Sequence, residues 1–149
     1  MTTTAAAPTQ TAGIDPRGPQ LTAAITAVVL ALVLFLPSPW AGVLTAVQAV
    51  LFAIGASRGV QHTPHAWAFR TFVRPRLSAP EELEDPAPPR FAQAVGLAFT
   101  LVALLGFVTG VTLLGQVAIG FALVAALLNA VFRFCLGCEM YLLIKRVGG

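Results

Sequence analysis

Leu21-Thr22-Ala23-Ala24-Ile25-Thr26-Ala27-Val28-Val29-Leu30-Ala31-Leu32-Val33-Leu34-Phe35-Leu36 carries no charge and stops at Pro37-Ser38-Pro39-Trp40. Crossing about 30 Å of hydrocarbon takes roughly 20 helical residues, with a lower limit near 17. Counted from Pro19, which suits the first turn of a helix, the run meets that limit. It predicts a membrane helix over Pro19–Leu36, ended by the two prolines. Trp40 then falls at an interface, where indole prefers to lie.

Working outward, the same reasoning finds three more spans. Helix two runs from about Trp40 to Ser57 and ends at Arg58; the connection is so short that the first two helices must be antiparallel neighbours. Helix three covers about Phe91 to Val108 and helix four about Leu114 to Phe134, joined by an uncharged hairpin around Gly110–Gly115. Composition agrees: of 149 residues 57% are hydrophobic and only 10% charged, against about a quarter charged in a soluble domain. Lipid must be the solvent for much of this chain. The +3 formal charge does not indicate nucleic acid, because no basic cluster alternates with stacking aromatics. Residues 1–14 are uncharged, rich in Thr and Ala, and lack the pattern of a signal peptide, so they read as a disordered tail.

Residues 58–90 differ from the spans. They hold Arg58, Arg70, Arg74, Arg76 and Arg90, the acidic run Glu81, Glu82, Glu84 and Asp85, and six prolines. Ala66–Val73 sets Trp67, Phe69, Phe72 and Val73 among arginines, which fits a short helix in the interface plane or a loop packed on the bundle end. All nine basic residues lie in the N-terminal tail, this loop or the C-terminal end, and neither hairpin has any. The positive-inside rule therefore puts both termini and the long loop in the cytoplasm, with the protein multi-pass in the plasma (inner) membrane.

A shift of 73 residues lays the second half on the first: Pro16 meets Pro89, Arg17 meets Arg90, Gln20 meets Gln93 and Gly42 meets Gly115. Two spans per half make a parallel repeat about an axis along the membrane normal. The predicted fold is an all-α polytopic membrane protein, its four transmembrane helices arranged as two parallel-repeat hairpins. Residues 15–149 form one membrane domain: a first hairpin (15–65), a cytoplasmic loop (66–88) and a second hairpin (89–149) carrying the C-terminal CxxC segment.

The same shift sets His62-Thr63-Pro64-His65 over Cys135-Leu136-Gly137-Cys138. A CxxC spacing lets two sulfurs reach bonding distance and can lower a thiol pKa. Cys135 reads as the end of helix four, where the helix dipole disfavours thiolate. If Gly137 breaks the helix, Cys138 starts the last segment and becomes the attacking sulfur, with Cys135 resolving. A cytoplasmic pair of this kind is usually reduced, and its oxidised forms are transient and catalytic. A permanent structural bridge and inert buried thiols are the plain alternatives. His62, His65, Cys135 and Cys138 together would also make a tetrahedral zinc site, which is the one cofactor the residue types suggest. The remaining polar residues in the spans, Gln48, Gln116, Asn129, Thr22, Thr26 and Thr100, suit hydrogen bonds between helices. A catalytic triad, a Walker loop and paired carboxylates are absent, and so is the mid-membrane ionisable group that a proton- or ion-coupled transporter would carry; an enzymatic role is neither indicated nor excluded by the residues.

Asp15-Pro16-Arg17-Gly18-Pro19, Val73-Arg74-Pro75-Arg76-Leu77, Glu82-Leu83-Glu84-Asp85, Pro88-Pro89-Arg90-Phe91-Ala92-Gln93-Ala94-Val95-Gly96 and Phe134-Cys135-Leu136-Gly137-Cys138-Glu139-Met140-Tyr141 resemble an uncharacterised bacterial four-helix membrane family, domain of unknown function 4395. The resemblance spans about residues 14–146, and the CLGCE-x-Y ending is its most specific part. Members of that family are often found beside thioredoxin-like and rhodanese-type proteins, which implies thiol redox or sulfur transfer with such a cytoplasmic partner. His62 and His65 fall outside the family pattern, which weakens the zinc reading. The expected function is a membrane thiol–disulfide or sulfur-relay partner acting through Cys135 and Cys138. The alternatives are a non-catalytic scaffold or assembly subunit, or a small sulfur-species permease, which would have to form a homo-oligomer to enclose a path.

Overall fold

A computed structural model describes residues 13–148; apart from Gly13 and Ile14, the expected tail lies outside the described residues. Four long apolar helices form the body: α1 (Arg17–Phe35), α2 (Ser38–Arg58), α4 (Ala87–Thr109) and α5 (Thr112–Phe132). Two shorter helices, α3 (Pro64–Ala68) and α6 (Leu136–Gly148), follow the two hairpins in turn. The chain is a polytopic membrane protein with four transmembrane helices.

Proline and glycine set most of the boundaries. Leu36 is extended (φ −86°, ψ 149°), as a residue before proline prefers, and Pro39 sits in the first turn of α2, where its missing N–H does no harm. α4 begins at Ala87, four residues before the expected Phe91, because Pro88 and Pro89 serve as its first turn rather than as loop. Gly110 closes α4 in the left-handed region (φ 87°), open to glycine at little cost. α5 starts at Thr112, so the second hairpin is Gly110–Val111 and not the longer Gly110–Gly115.

The order of packing accommodates the repeat. α1 packs against α2 and α5, and α4 against α5 and α2, while the diagonal pairs α1/α4 and α2/α5 barely touch. Exchanging the two hairpins leaves this pattern unchanged, as a pseudo-twofold axis between them requires. Cross-bundle hydrogen bonds follow it: Gln20 donates to the Ala130 carbonyl near the end of α5 (2.9 Å). Arg90 donates to the Ala56 and Ser57 carbonyls at the end of α2 (2.7 Å each). Ser57 and Ala130 are partners under the 73-residue shift.

The interior is built from small residues, because helices in lipid gain from close van der Waals approach rather than from escaping water. The tight core is Leu30, Val33, Ala41, Ala103, Phe107, Ala118, Ile119 and Ala122, all in the half of the bundle nearer the two hairpins. Large apolar side chains such as Phe35, Val28, Leu113 and Val131 point outward. The expected hydrogen bonds between helices are mostly unmade. Thr100 Oγ1 bonds back to the Gly96 and Leu97 carbonyls of its own helix (3.0 Å each), Gln116 is exposed, and among the described residues Thr45 Oγ1 and Gln48 Oε1 find no partner.

The segment after α2 combines its two expected descriptions. Gly59 (φ 100°) turns the chain, Thr63 Oγ1 caps α3 by accepting from the Ala66 N–H (3.2 Å), and helical turns continue through Arg76. Phe69 is buried against Gly18 of α1, which docks the segment on the bundle end, while Trp67 and Phe72 stay more than half exposed. Ile14 and Glu84 pair as an isolated antiparallel bridge, N–O distances 2.9 and 2.8 Å.

Candidate functional site

The site begins where α5 ends. Arg133 adopts the left-handed conformation (φ 57°, ψ 26°), and the Arg133 and Phe134 N–H groups donate to the Asn129 and Leu128 carbonyls (3.1 Å each). These bonds satisfy acceptors that the last turn leaves open. Cys135 follows and caps α6: its carbonyl accepts from the Glu139 N–H (3.0 Å), and its Sγ accepts from the Cys138 N–H (3.2 Å).

This corrects the expected placement of the break. The helix stops at Arg133–Cys135, not at Gly137, which lies inside the first turn of α6. A Cβ at Gly137 would stand 2.6 Å from both Cα and Cβ of Ala92, so glycine is there to let α6 close on α4. The Phe91 and Tyr141 rings, 5.7 Å apart, continue that contact one turn later. The electrostatics at the pair change with the boundary. Cys135 is at the positive end of α6 rather than the negative end of α5, with a backbone N–H on its sulfur.

Cys135 and Cys138 are joined as a disulfide, Cα–Cα 5.1 Å. Both line a crevice of about 1180 Å³ that enters the bundle between α1 and α4, with α5 behind it. Asp15, Arg17, Glu82 and Glu84 line it beside the long loop, Gln20, Gln93, Asn129 and Arg133 line it nearer the pair, and Phe99 and Phe121, both exposed on the outer face of the bundle, line its far end. Arg133 Nε donates to Gln20 Oε1 (3.2 Å), which ties the turn before the pair to the first turn of α1. At the mouth, Arg17 and Arg74 both reach the Asp15 carboxylate (2.8 and 3.3 Å), and Arg17 also donates to the Ser78 carbonyl (2.9 Å). The Arg17 hydrogen bonds foremost, with Arg74 adding, hold the Asp15 carboxyl below its usual range.

The histidines are elsewhere. His62 is exposed and lines a separate cavity of about 650 Å³ with Arg58, Trp67 and Arg70. His65 is partly buried, and desolvation lowers its pKa. Among the described residues no three His, Cys, Asp or Glu side chains gather as a metal-holding group, so the structure does not bring His62, His65, Cys135 and Cys138 together. Thr63 and Cys135 cap α3 and α6 in the two halves, one residue out of the 73-residue register.

Arg133 is expected from its place beside the cysteines to favour a thiolate there; Gln20 and Gln93 join the site without such an expectation. The available signal was the spacing of the two glutamines, which puts an amide at the same depth in α1 and α4. No curated protein and no solved structure matches the chain. The family model described as "Domain of unknown function (DUF4395)" matches residues 14–146, from the bridge at Ile14 through most of α6, and the chain belongs to that family.

Proposed function

We propose that this protein is a membrane thiol–disulfide exchange partner whose working groups are Cys135 and Cys138. One observation carries the reading: the pair bridges the first turn of α6, and the capping Cys135 Sγ receives the Cys138 N–H at 3.2 Å. A sulfur so placed is stabilised as thiolate by the backbone donor and the positive helix end. Cys135 is therefore the attacking sulfur and Cys138 the resolving one, the reverse of the assignment that a break at Gly137 suggested.

In one direction the Cys135 thiolate attacks a partner disulfide, forming a mixed disulfide and releasing the partner's second sulfur as thiolate. Cys138 then attacks Cys135 Sγ, closing the internal bond and releasing the partner as a dithiol. The same thiolate can take a sulfane sulfur from a rhodanese-type persulfide. The confinement of all nine basic residues to the tail, the long loop and the C-terminal end supports a cytoplasmic mouth in the plasma membrane. A thioredoxin-like or rhodanese-type protein would dock there on the 58–90 loop and α6.

Trapping tests the roles. Cys138→Ser should accumulate mixed disulfides through Cys135, resolved by reductant on a non-reducing gel, whereas Cys135→Ser should accumulate none. Equal trapping by both variants removes the assignment. Failure of both, with the protein folded, removes the exchange function and leaves a scaffold.

A further inference from the structure

We propose that the crevice is a binding site for a lipid-soluble quinone, which accepts the electrons of the Cys135/Cys138 dithiol; this rests on the exchange reading above and names the pair's second redox partner. The cavity joins the disulfide to the bilayer interior. It runs from Cys135 and Cys138 to Phe99 and Phe121, whose rings lie 6.3 Å apart. Counted from Phe91, the first residue past the exposed Arg90, Phe99 is about 12 Å along α4 at 1.5 Å per residue, well into a roughly 30 Å hydrocarbon layer. A soluble partner reaches only the mouth. A carrier dissolved in lipid reaches the rest.

The opening has two structural causes. α1 and α4 are diagonal and barely touch, and the walls carry Ala23, Thr26, Ala122 and Ala126, which are too small to fill the gap. Its volume of about 1180 Å³ slightly exceeds the upper end of ordinary ligand pockets, about 300–1,000 Å³, and suits a ring together with the start of a long tail.

The polarity is graded in the sense a quinone needs. Among the described residues the side-chain amides of Gln93 and Asn129 have no hydrogen-bond partner; that of Gln93 packs over Gly55 of α2, and Asn129 lines the crevice one turn before Arg133. The Asn129 amide can donate to a ring carbonyl, which accepts hydrogen bonds. Beyond them the lining is Ala, Thr, Val, Gly and Phe, matched to a ring face and an isoprenoid chain. A saturated acyl chain has nothing to offer that amide.

The step balances. Two S–H bonds of the dithiol break and the Cys135–Cys138 bond forms, releasing two electrons and two protons. The quinone takes both pairs, its two carbonyls becoming the two O–H groups of the hydroquinone. Thiols oxidised at the mouth are thereby connected to a carrier in the membrane.

The test uses the full chain, purified in detergent, reduced and freed of reductant. It is then given a fully substituted benzoquinone with a decyl tail, which has no open ring position for thiol addition. We expect one hydroquinone per protein, read by ultraviolet absorbance, as the pair closes, and none from the Cys135→Ser/Cys138→Ser double variant. Ala126→Phe, which fills the crevice wall, should slow quinone-dependent closure at least tenfold while closure by glutathione disulfide stays within twofold. If Ala126→Phe does not fold, Asn129→Leu should raise the quinone concentration for half-maximal rate at least threefold. Wild-type rates in the variant that folds would overturn the inference, as would closure by glutathione disulfide with no hydroquinone, the result expected if lipid merely fills the crevice. If neither oxidant closes the pair, the exchange reading itself fails, and this inference with it.

Discussion

Replacing Gly137 by alanine sets two effects of known size against each other. Alanine is favoured over glycine inside a helix by up to about 1 kcal/mol. Against that, the new Cβ would lie 2.6 Å from the Ala92 Cα, a backbone atom that no rotamer change can move. Overpacking of this kind costs roughly 1–3 kcal/mol, so a net loss of up to about 2 kcal/mol is expected, with α6 pushed off α4. Gly120 is the control, since nothing lies within 4 Å of a Cβ there; Gly120→Ala should keep its gain of up to about 1 kcal/mol. Ala92→Gly should restore part of the loss in Gly137→Ala, because the Ala92 Cβ is also 2.6 Å away and its removal leaves only the Cα clash. The assay is reversible unfolding in mixed micelles, followed by far-ultraviolet circular dichroism. Gly137→Ala at or above wild-type stability would refute the close contact of α6 with α4, and with it the placement of the cysteines over the crevice.

Other consequences can be checked in the same assay. Arg133→Val should lose stability, because it removes the Gln20 bond and a β-branched side chain tolerates the left-handed conformation less well than arginine. Arg133→Gly loses the same bond but is relieved of about 1–2 kcal/mol of left-handed strain; equal effects would contradict that backbone geometry. Asp15 has a folded pKa below its ordinary 3.8, so its stabilising effect is complete above that value and is lost as pH falls beneath it. Asp15→Asn should flatten unfolding stability between about pH 4 and the lowered pKa. His65 is held below its ordinary 6.5 by burial, so its contribution is complete above 6.5 and declines as pH drops from there, since protonation must desolvate a charge. His65→Gln should abolish that acid-side slope, and an unchanged slope would assign it elsewhere.

The spans were legible because charge is excluded from hydrocarbon: nothing between Leu21 and Leu36 titrates, and Pro37 ends the run whatever surrounds it. The repeat was suggested by the Arg17/Arg90 and Gln20/Gln93 spacings, and the packing order is compatible with it. The break before the cysteines was not, because the left-handed residue is Arg133, a type that rarely adopts that conformation, while the glycine nearby serves a close contact instead. Proline misled in the opposite direction at Pro88 and Pro89, which read as loop and form a first helical turn. The crevice could not be read at all. It depends on two diagonal helices failing to meet and on small side chains such as Ala23 and Ala122 lining the gap.

The most direct test is the redox state of Cys135 and Cys138 in intact membranes, read by gel-shift alkylation before and after a thiol reductant and again after a mild oxidant. The exchange account predicts a pair that cycles between disulfide and dithiol, with Cys135 alkylating faster than Cys138 at neutral pH. A pair that stays fixed in either state through all three treatments would contradict it.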